Sequence, residues 1–441
     1  MKTVPSLILS ILITSSGLFA QENPYSARRE KLFDIIGEDI ALVKNSGRDY
    51  VLPMNINWNF YYLTGDTTED AILVLNGKDK SGYIFGDESP DNKNTANGLN
   101  YKPFDQLANH ILEITKDSEN LLIDSSAKIK LSDYGIEDKK QTKSINLRSI
   151  LHYMRSIKDE SEMKNLTHAI KTTAEGLVEV MKAAEPGMNE KDFENILLQK
   201  FEEAGCEHLG FGIQAASGPN GTSVHYGAND RDTEDGDMMV FDVGARSEFY
   251  SADISRSFPV NGKFTKEQRE IYQLVLDAQK AAIAEMVPGV NIGIASQAAR
   301  DVLNQGLAEL GLITDLESQW QKRFWIQHGF FHHIGLVVHD PGPYDKDLEP
   351  GMIITMEPGL YFPEDYLEKG SSRRLRGVSK KEKEEFLQAV TPVFEKYINI
   401  GVRIEDDVYI TEDGNRIISV GVPKEINEIE ALMKEKSMFN K

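Results

Sequence analysis

Phe241-Asp242-Val243-Gly244-Ala245, followed by Ser251-Ala252-Asp253-Ile254-Ser255-Arg256, sets two carboxylates eleven residues apart in a stretch that otherwise reads as strand. Asp242 closes the apolar run from Met238 to Phe241, and Asp253 falls in the next extended segment. An ionised carboxylate in an apolar setting is costly unless something neutralises it. Candidate partners lie downstream: His332 in His328-Gly329-Phe330-Phe331-His332, Glu357 in Met356-Glu357-Pro358-Gly359, and Glu405 in Arg403-Ile404-Glu405-Asp406-Asp407. Four carboxylates and one imidazole suit two divalent metal ions that share bridging oxygens, with a water between them. Hydrolysis is the chemistry such a set serves.

The sequence on either side repeats itself. Pro186-Gly187-Met188-Asn189 opens a helix that ends at Glu202-Glu203-Ala204-Gly205, and Pro288-Gly289-Val290-Asn291 opens another that ends at Leu307-Ala308-Glu309-Leu310-Gly311. Asn is a good N-cap and Gly a good helix stop. In both places a helix precedes the Pro-Gly pair, the first running from Ser161 to Glu185, and strand-like segments follow. Two related helix–turn–helix–strand units predict a pseudo-symmetric domain with the site between its halves. Asp242 and Asp253 would come from the first half, and His332, Glu357 and Glu405 from the second.

Upstream of residue 155 the pattern changes. An amphipathic helix is expected over 25–39, carrying Tyr25, Leu32, Ile35 and Ile36. Strand-like runs follow at Ile40–Val43, Phe60–Leu63, Ala71–Leu75 and Gly82–Phe85, then a polar loop from Asp87 to Asn100, a helix near 104–115 and a strand at Leu121–Ile123. Strands mixed with helices predict an α/β first domain. The segment 362–399 reads as a loop and one helix bearing a basic cluster, Arg373, Arg374 and Arg376. Such charge runs are ordinarily solvated; the functional alternative is a lid that carries cations near the carboxyl end of a substrate.

A length of 441 residues allows two domains, each with its own core. A formal charge of −21 disfavours nucleic acid and anionic membrane surfaces as partners. Lys2, the apolar run Leu7–Ile13 and the small residues leading to Ala20 have the layout of an export signal. That run is too short to span a membrane as a stable anchor, and no other segment is apolar for long enough either. Export to the periplasm or outside the cell is therefore expected. With Cys206 as its only cysteine, the chain forms no internal disulfide and relies on its core. Cys206 itself reads as a buried thiol.

Five motifs then occur in one order: Ser217-Gly218-Pro219-Asn220 with His225-Tyr226, the Asp242 and Asp253 strands, His328 through His332 to His339-Asp340, Glu357-Pro358-Gly359-Leu360-Tyr361, and Gly401 to Asp407. Each is weak alone. Together they resemble the aminopeptidase P and prolidase branch of the "pita-bread" metallopeptidases, over nearly the whole chain. Asn55 to Gly65 is similar to the aromatic strand of the aminopeptidase P N-terminal domain, which argues against methionine aminopeptidase, a catalytic domain alone. The resemblance implies an α/β (α+β) fold, a creatinase/aminopeptidase P-type domain followed by a pseudo-symmetric pita-bread catalytic domain. The expected boundaries are a signal peptide over 1–20, the first domain over 21–157, the catalytic domain over 158–430 with an insertion at 362–399, and a tail over 431–441.

By the same resemblance, Asp242 holds one metal ion, His332 and Glu357 the other, and Asp253 and Glu405 bridge them. The implied cofactors are two divalent ions, manganese first, with cobalt or zinc as alternatives. Glu357 takes the proton from the attacking water, which bridges the metals as hydroxide; His225 and His339 contact the substrate; Tyr361 helps bind it; and Arg403 pairs with a ligand carboxylate. His328 lies four residues before His332 without the Glu of a His-Glu-x-x-His helix, and His333 reads as structural or surface. Phe330-Phe331 stands where the family has small residues, which predicts a narrower pocket. The expected function is release of an N-terminal residue that precedes proline, by a homodimer or homotetramer. Alternatives are an Xaa-Pro dipeptidase whose basic insertion clamps a dipeptide carboxylate, and an inactive peptide-binding module.

Overall fold

The computed structural model describes residues 23–49, 51–86, 95–116, 120–126, 129–130, 132 and 146–439, so the expected export signal and residues 87–94 of the polar loop lie outside it. The chain divides into two units, one of Met1–Gly47 with Ile56–Ile145, the other of Arg48–Asn55 with Asn146–Lys441.

The first unit contains, in order, α1 (Pro24–Ile36), β1 (Ile40–Lys44), α2 (Trp58–Thr64), β2 (Ile72–Asn76), β3 (Ser81–Phe85), β4 (Thr95–Ala96), β5 (Leu99–Lys102), α3 (Leu107–Ile114) and β6 (Leu121–Ile123). Its strands form one mixed sheet in the order β4-β5-β3-β2-β1-β6. Alternation decides the face that is covered: Ile40 and Leu42 on β1 and Ile72 and Val74 on β2 point one way. They meet Leu107 and Ile111, one helical turn apart on α3.

The aromatic run expected as a strand at Phe60–Leu63 is the helix α2 instead. Aromatic residues favour strands on propensity, but the ends prevail here. The Asn57 side chain accepts from the Asn59 N–H, and Gly65 closes the helix in the left-handed region at φ 65°. Every residue of α2 is buried, so no alternation is required of it.

The second unit contains α4 (Leu147–Ser156), α5 (Glu160–Ala183), α6 (Glu190–Glu203), β7 (His208–Leu209), β8 (Gln214–Ser217), β9 (Met238–Val243), β10 (Ala245–Ser247), β11 (Tyr250–Ser251), β12 (Ile254–Pro259), α7 (Lys266–Glu285), α8 (Ile292–Glu309), α9 (Gln319–Trp325), β13 (Ile353–Met356), β14 (Gly359–Tyr361), α10 (Tyr366–Arg374), α11 (Lys380–Phe394), β15 (Gly401–Arg403), β16 (Asp406–Thr411), β17 (Gly414–Ile417) and α12 (Ile426–Leu432). The internal echo of the sequence is structural. Asn189 caps α6 and pairs as an isolated bridge with Asp232, while Asn291 caps α8 and pairs likewise with Asp347. Gly187 N–H donates to the Thr233 carbonyl and Gly289 N–H to that of Leu348, each at 2.9 Å. Each helix pair is followed by a three-stranded antiparallel sheet, β12-β9-β8 after the first and β13-β16-β17 after the second.

The insertion holds two helices, α10 and α11, where one was expected. Arg374 in α10 donates to the backbone carbonyls of Arg323 (3.3 Å) and Gln327 (3.2 Å), which anchors that arginine to the main chain. Below it, Phe362 lies 5.6 Å from Tyr397 and 6.1 Å from Phe394 between ring centroids. No helix among the described residues is long and apolar enough to cross a membrane.

Candidate active site

Sheet register places the first carboxylate. Asp242 on β9 faces Gln214 on β8 and Ser255 on β12, so three polar residues form a row across one face. The guanidinium of Arg403, at the end of β15, reaches this row. Its Nη2 lies 2.5 Å from Asp242 Oδ2 and its Nε donates to Ser255 Oγ at 2.8 Å. Gln214 Nε2 donates to the same Asp242 Oδ2 at 2.6 Å. The other oxygen, Oδ1, is buried and has no hydrogen-bond partner. Burial alone would weaken the Arg403 cation, but Asp242 foremost, with Tyr361, Glu405 and Glu357, holds it in its charged form.

Ser255 passes the network on, donating from Oγ to Glu405 Oε2 at 2.8 Å. Glu405 follows β15, and its N–H donates to the Ser255 carbonyl at 3.0 Å. β15 comes close to the loop after β8: a Cβ at Gly401 would stand 1.9 Å from the Gly221 carbonyl oxygen, so only glycine fits there. Asp253 immediately precedes β12, and its N–H donates to Asp407 Oδ2 at 3.3 Å.

His332 supplies the imidazole. Its Nδ1 lies 3.1 Å from the His333 carbonyl, so that nitrogen carries the proton and Nε2 presents a lone pair. Nε2 lies 3.3 Å from Asp253 Oδ2, 3.6 Å from Glu357 Oε1 and 3.9 Å from Glu405 Oε1. Asp253, His332 and Glu405 each offer a ligand atom within 4.8 Å of the others'. Glu357, just past β13, is fixed by its N–H to the Phe330 carbonyl at 2.9 Å.

The electrostatics are those of a site built for cations. Burial, then the neighbouring carboxylates led by Glu405, pushes Asp253 well above the usual carboxylate range. Burial and Glu405 do the same to Glu357. Burial and Asp242 push Glu405 up to about 8. Burial lowers His332 to about 4, with His339 adding to the effect, so its imidazole is neutral at pH 7. Asp242 Oδ1, Asp253 Oδ1 and Glu405 Oε1 are all buried without a partner. Acids packed this closely repel one another, and a neutral imidazole with its lone pair aimed among them completes a donor set of oxygen and nitrogen. Divalent cations fit it.

A cavity of about 310 Å³ opens onto these groups, lined on its remaining sides by Val224, His225, His328, Phe331, His339 and Tyr344. Of the expected substrate contacts, His225 and His339 are exposed on its wall, and the His339 ring lies 4.4 Å from that of His332. Tyr361 is buried behind it. Arg403 Nη1 donates to Tyr361 Oη at 2.9 Å, and that hydroxyl lies 3.0 Å from His328 Nε2. Burial foremost raises Tyr361 to about 12, so its hydroxyl keeps its proton. Of the aromatic pair expected to narrow the pocket, only Phe331 lines it; Phe330 is fully buried, with Arg300 4.7 Å from its ring centroid. His333 is buried, not a surface residue.

Sequence reasoning did not put His328, Gln214 or Ser255 in the site. The His328 ring faces Glu357 Oε2 from 3.6 Å and lines the cavity. Its place in His328-Gly329-Phe330-Phe331-His332 was the available signal; for Gln214 and Ser255 there was none short of knowing the strand register. None of the arginines expected to clamp a substrate carboxylate lines the cavity among the described side chains.

Three comparisons bear on this arrangement. The profile of metallopeptidase family M24 matches residues 164–412. A Haemophilus influenzae protein named Xaa-Pro aminopeptidase is 32% identical over 453 residues, covering 93% of this chain and 96% of the relative. One of the same name from Escherichia coli is 36% identical over 297 residues, covering 66% and 62%. Among solved structures, zinc-substituted Escherichia coli aminopeptidase P in complex with product superposes with a TM-score of 0.79 at 28% identity, over 94% of this chain and 98% of that one.

Proposed function

Since the chain belongs to metallopeptidase family M24, with the pita-bread fold and the hydrolase activity of aminopeptidase P-type enzymes, we propose that it releases the N-terminal residue from peptides whose second residue is proline. The observation that carries the reading is the convergence of Asp253, His332 and Glu405, with Glu357 alongside and Asp242 Oδ1 left bare. In this reading His332, Glu357, Asp253 and Glu405 would hold one divalent ion, and Asp242 with Asp253 and Glu405 a second. Two such ions would supply Lewis-acid polarisation of the scissile carbonyl and would acidify an attacking water. Manganese is the proposed metal, with cobalt or zinc as alternatives; hard oxygens and one imidazole suit each.

The chain's own groups do the rest. Glu357 accepts the proton of the attacking water and returns it to the leaving proline nitrogen. An Xaa-Pro bond has no N–H for an enzyme to hold, so recognition falls to the ring and the carbonyl. His225 and His339, exposed on the cavity wall, donate to the substrate's carbonyl oxygens. Tyr361 braces His328 and Arg403 from behind, and the faces of Phe331 and Tyr344 offer the pyrrolidine ring an apolar surface. The dipeptidase alternative is not favoured: Arg374 is occupied by main-chain carbonyls, and the relative matched over 93% of the chain carries the aminopeptidase name.

The test is hydrolysis of Xaa-Pro dipeptides and of Xaa-Pro-Yaa-Zaa peptides after chelation, with manganese, cobalt or zinc restored. Metal-dependent release of the first residue from the longer peptides is expected. Cleavage of dipeptides alone would overturn the aminopeptidase reading, and no cleavage with any metal would favour a binding module. Export is proposed separately from the Lys2–Ala20 sequence, and the mature N-terminus of protein made in its own cells, near Gln21, is its check.

A further inference from the structure

Gln214 uses both ends of its side-chain amide. Nε2 donates to Asp242 Oδ2 at 2.6 Å, and Oε1 accepts the Tyr226 backbone N–H at 2.9 Å. Arg403 makes a parallel pair of contacts. Nη2 meets the same Asp242 Oδ2 at 2.5 Å, and Nη1 donates to the Val224 carbonyl at 3.1 Å. The peptide groups that flank His225 are thus held from both sides, and each holder has its other end on one carboxylate oxygen. Tyr226 is anchored further by its hydroxyl, 2.7 Å from Glu190 Oε2, and Glu190 is fully buried.

We infer that Gln214 is a positioning residue that couples the Asp242 ligand to the substrate-contacting loop of His225. The inference rests on the proposed function. By occupying Oδ2 together with Arg403, Gln214 leaves Oδ1 as the oxygen without a hydrogen-bond partner, the one available to a cation. By holding the Tyr226 N–H, it fixes the peptide that follows His225, whose imidazole lines the same cavity as the carboxylates. A neutral amide is the side chain that can do both, since it donates at one end and accepts at the other. Glutamate in its place keeps the acceptor for Tyr226 but sets a second negative oxygen against Asp242. Leucine loses both contacts. The two substitutions therefore separate the two ends.

The experiment measures metal affinity of the chelated protein by competition with a chromogenic chelator, using manganese and zinc, in the wild type, Gln214→Leu and Gln214→Glu. KM and kcat on an Xaa-Pro-Yaa-Zaa peptide follow at saturating metal. Loss of an outer hydrogen-bond partner of a metal ligand typically costs about 10–100-fold in affinity. Both variants are expected to bind the weaker-held ion about 10-fold less tightly or worse. At saturating metal, KM should rise several-fold in Gln214→Leu and stay near wild type in Gln214→Glu. Wild-type metal affinity in both variants overturns the inference, as does an equal change of affinity and KM in the two, which is what a general loosening of the strand would give. Should Gln214→Leu fail to fold, Gln214→Glu decides alone: weakened affinity with near wild-type KM supports the coupling, and unweakened affinity overturns it. A wild-type protein that binds neither metal removes the proposed function itself, and this inference with it, so the two failures are distinct.

Discussion

Ser255 shows how much one hydroxyl can hold. It accepts from Arg403 Nε and donates to Glu405 Oε2, each at 2.8 Å, inside a fully buried strand. Ser255→Ala strands both partners, and an unsatisfied buried polar group costs about 1–3 kcal/mol. A fall of that order in urea-unfolding stability is expected; a variant as stable as wild type would mean that water or a shifted neighbour replaces the hydroxyl. Glu357→Gln keeps the shape and removes the proton acceptor. Its kcat should fall by about 10²–10⁴, the usual weight of general-base catalysis, with the fold intact by circular dichroism. Asp340 is the structural counterpart of these acids. Burial would raise its carboxyl, but Arg155 and Lys158 hold it below the usual range of 3.8. A depressed pKa contributes stability that is fully present above the unfolded value and lost as pH falls through the folded one. The wild type should therefore lose melting temperature below about pH 4 more steeply than Asp340→Asn, which is already destabilised by about 3–5 kcal/mol at neutral pH because two buried cations lose their counter-charge. At this scale the legible residues were those whose surroundings are local in sequence: Asp242 after its apolar run, Glu357 before Pro358, Glu405 beside Arg403. Ser255 and Glu405 are 150 residues apart, Gln214 and Asp242 are 28, and nothing in either neighbourhood announces the pairing.

Elements were read well where their ends carried the signal. Asn189 and Asn291 were visible as caps, and each accepts a backbone N–H near the start of its helix: Asn189 that of Lys191 at 3.0 Å, Asn291 that of Gly293 at 2.9 Å. An N-cap replaced by alanine costs about 1 kcal/mol. Asn189→Ala and Asn291→Ala should each lower stability by about that amount, and the double variant by about the sum, because the caps share no partner. Guanidinium unfolding of the three proteins checks this; a double variant no worse than either single one would show that the two helix pairs are not independent. Where composition spoke louder than ends, the reading failed. Trp58–Thr64 is rich in aromatics and buried throughout, so it offered no period of 3.6 to see. The helix Tyr366–Arg374 was missed because glycine, serines and arginines dilute its apolar face.

At the scale of the molecule, the duplicated helix-pair-and-sheet was legible because a short phrase, Pro-Gly-x-Asn, recurs at matching places. What could not be read was how closely the carboxylates crowd, since their mutual effect depends on distances set by both sheets at once. Those carboxylates make the folded state a binder of cations, and a ligand held by the native state alone stabilises it by mass action, about 2.7 kcal/mol at one hundred times Kd. Chelation should lower the melting temperature and manganese or zinc should restore it in calorimetry. A transition unmoved by either would mean that the carboxylates hold no metal.

Ser255 donates to Glu405 across 150 residues, and this contact sets a time as well as a place. On a chain still emerging from the ribosome, Asp242, Asp253, His332 and Glu357 have all been made before the last strands exist to bring Glu405 against them. Until then the pocket lacks a wall. The full set of donors therefore exists only once the strand that follows Glu405, Asp406–Thr411, has docked, however early the other members were made.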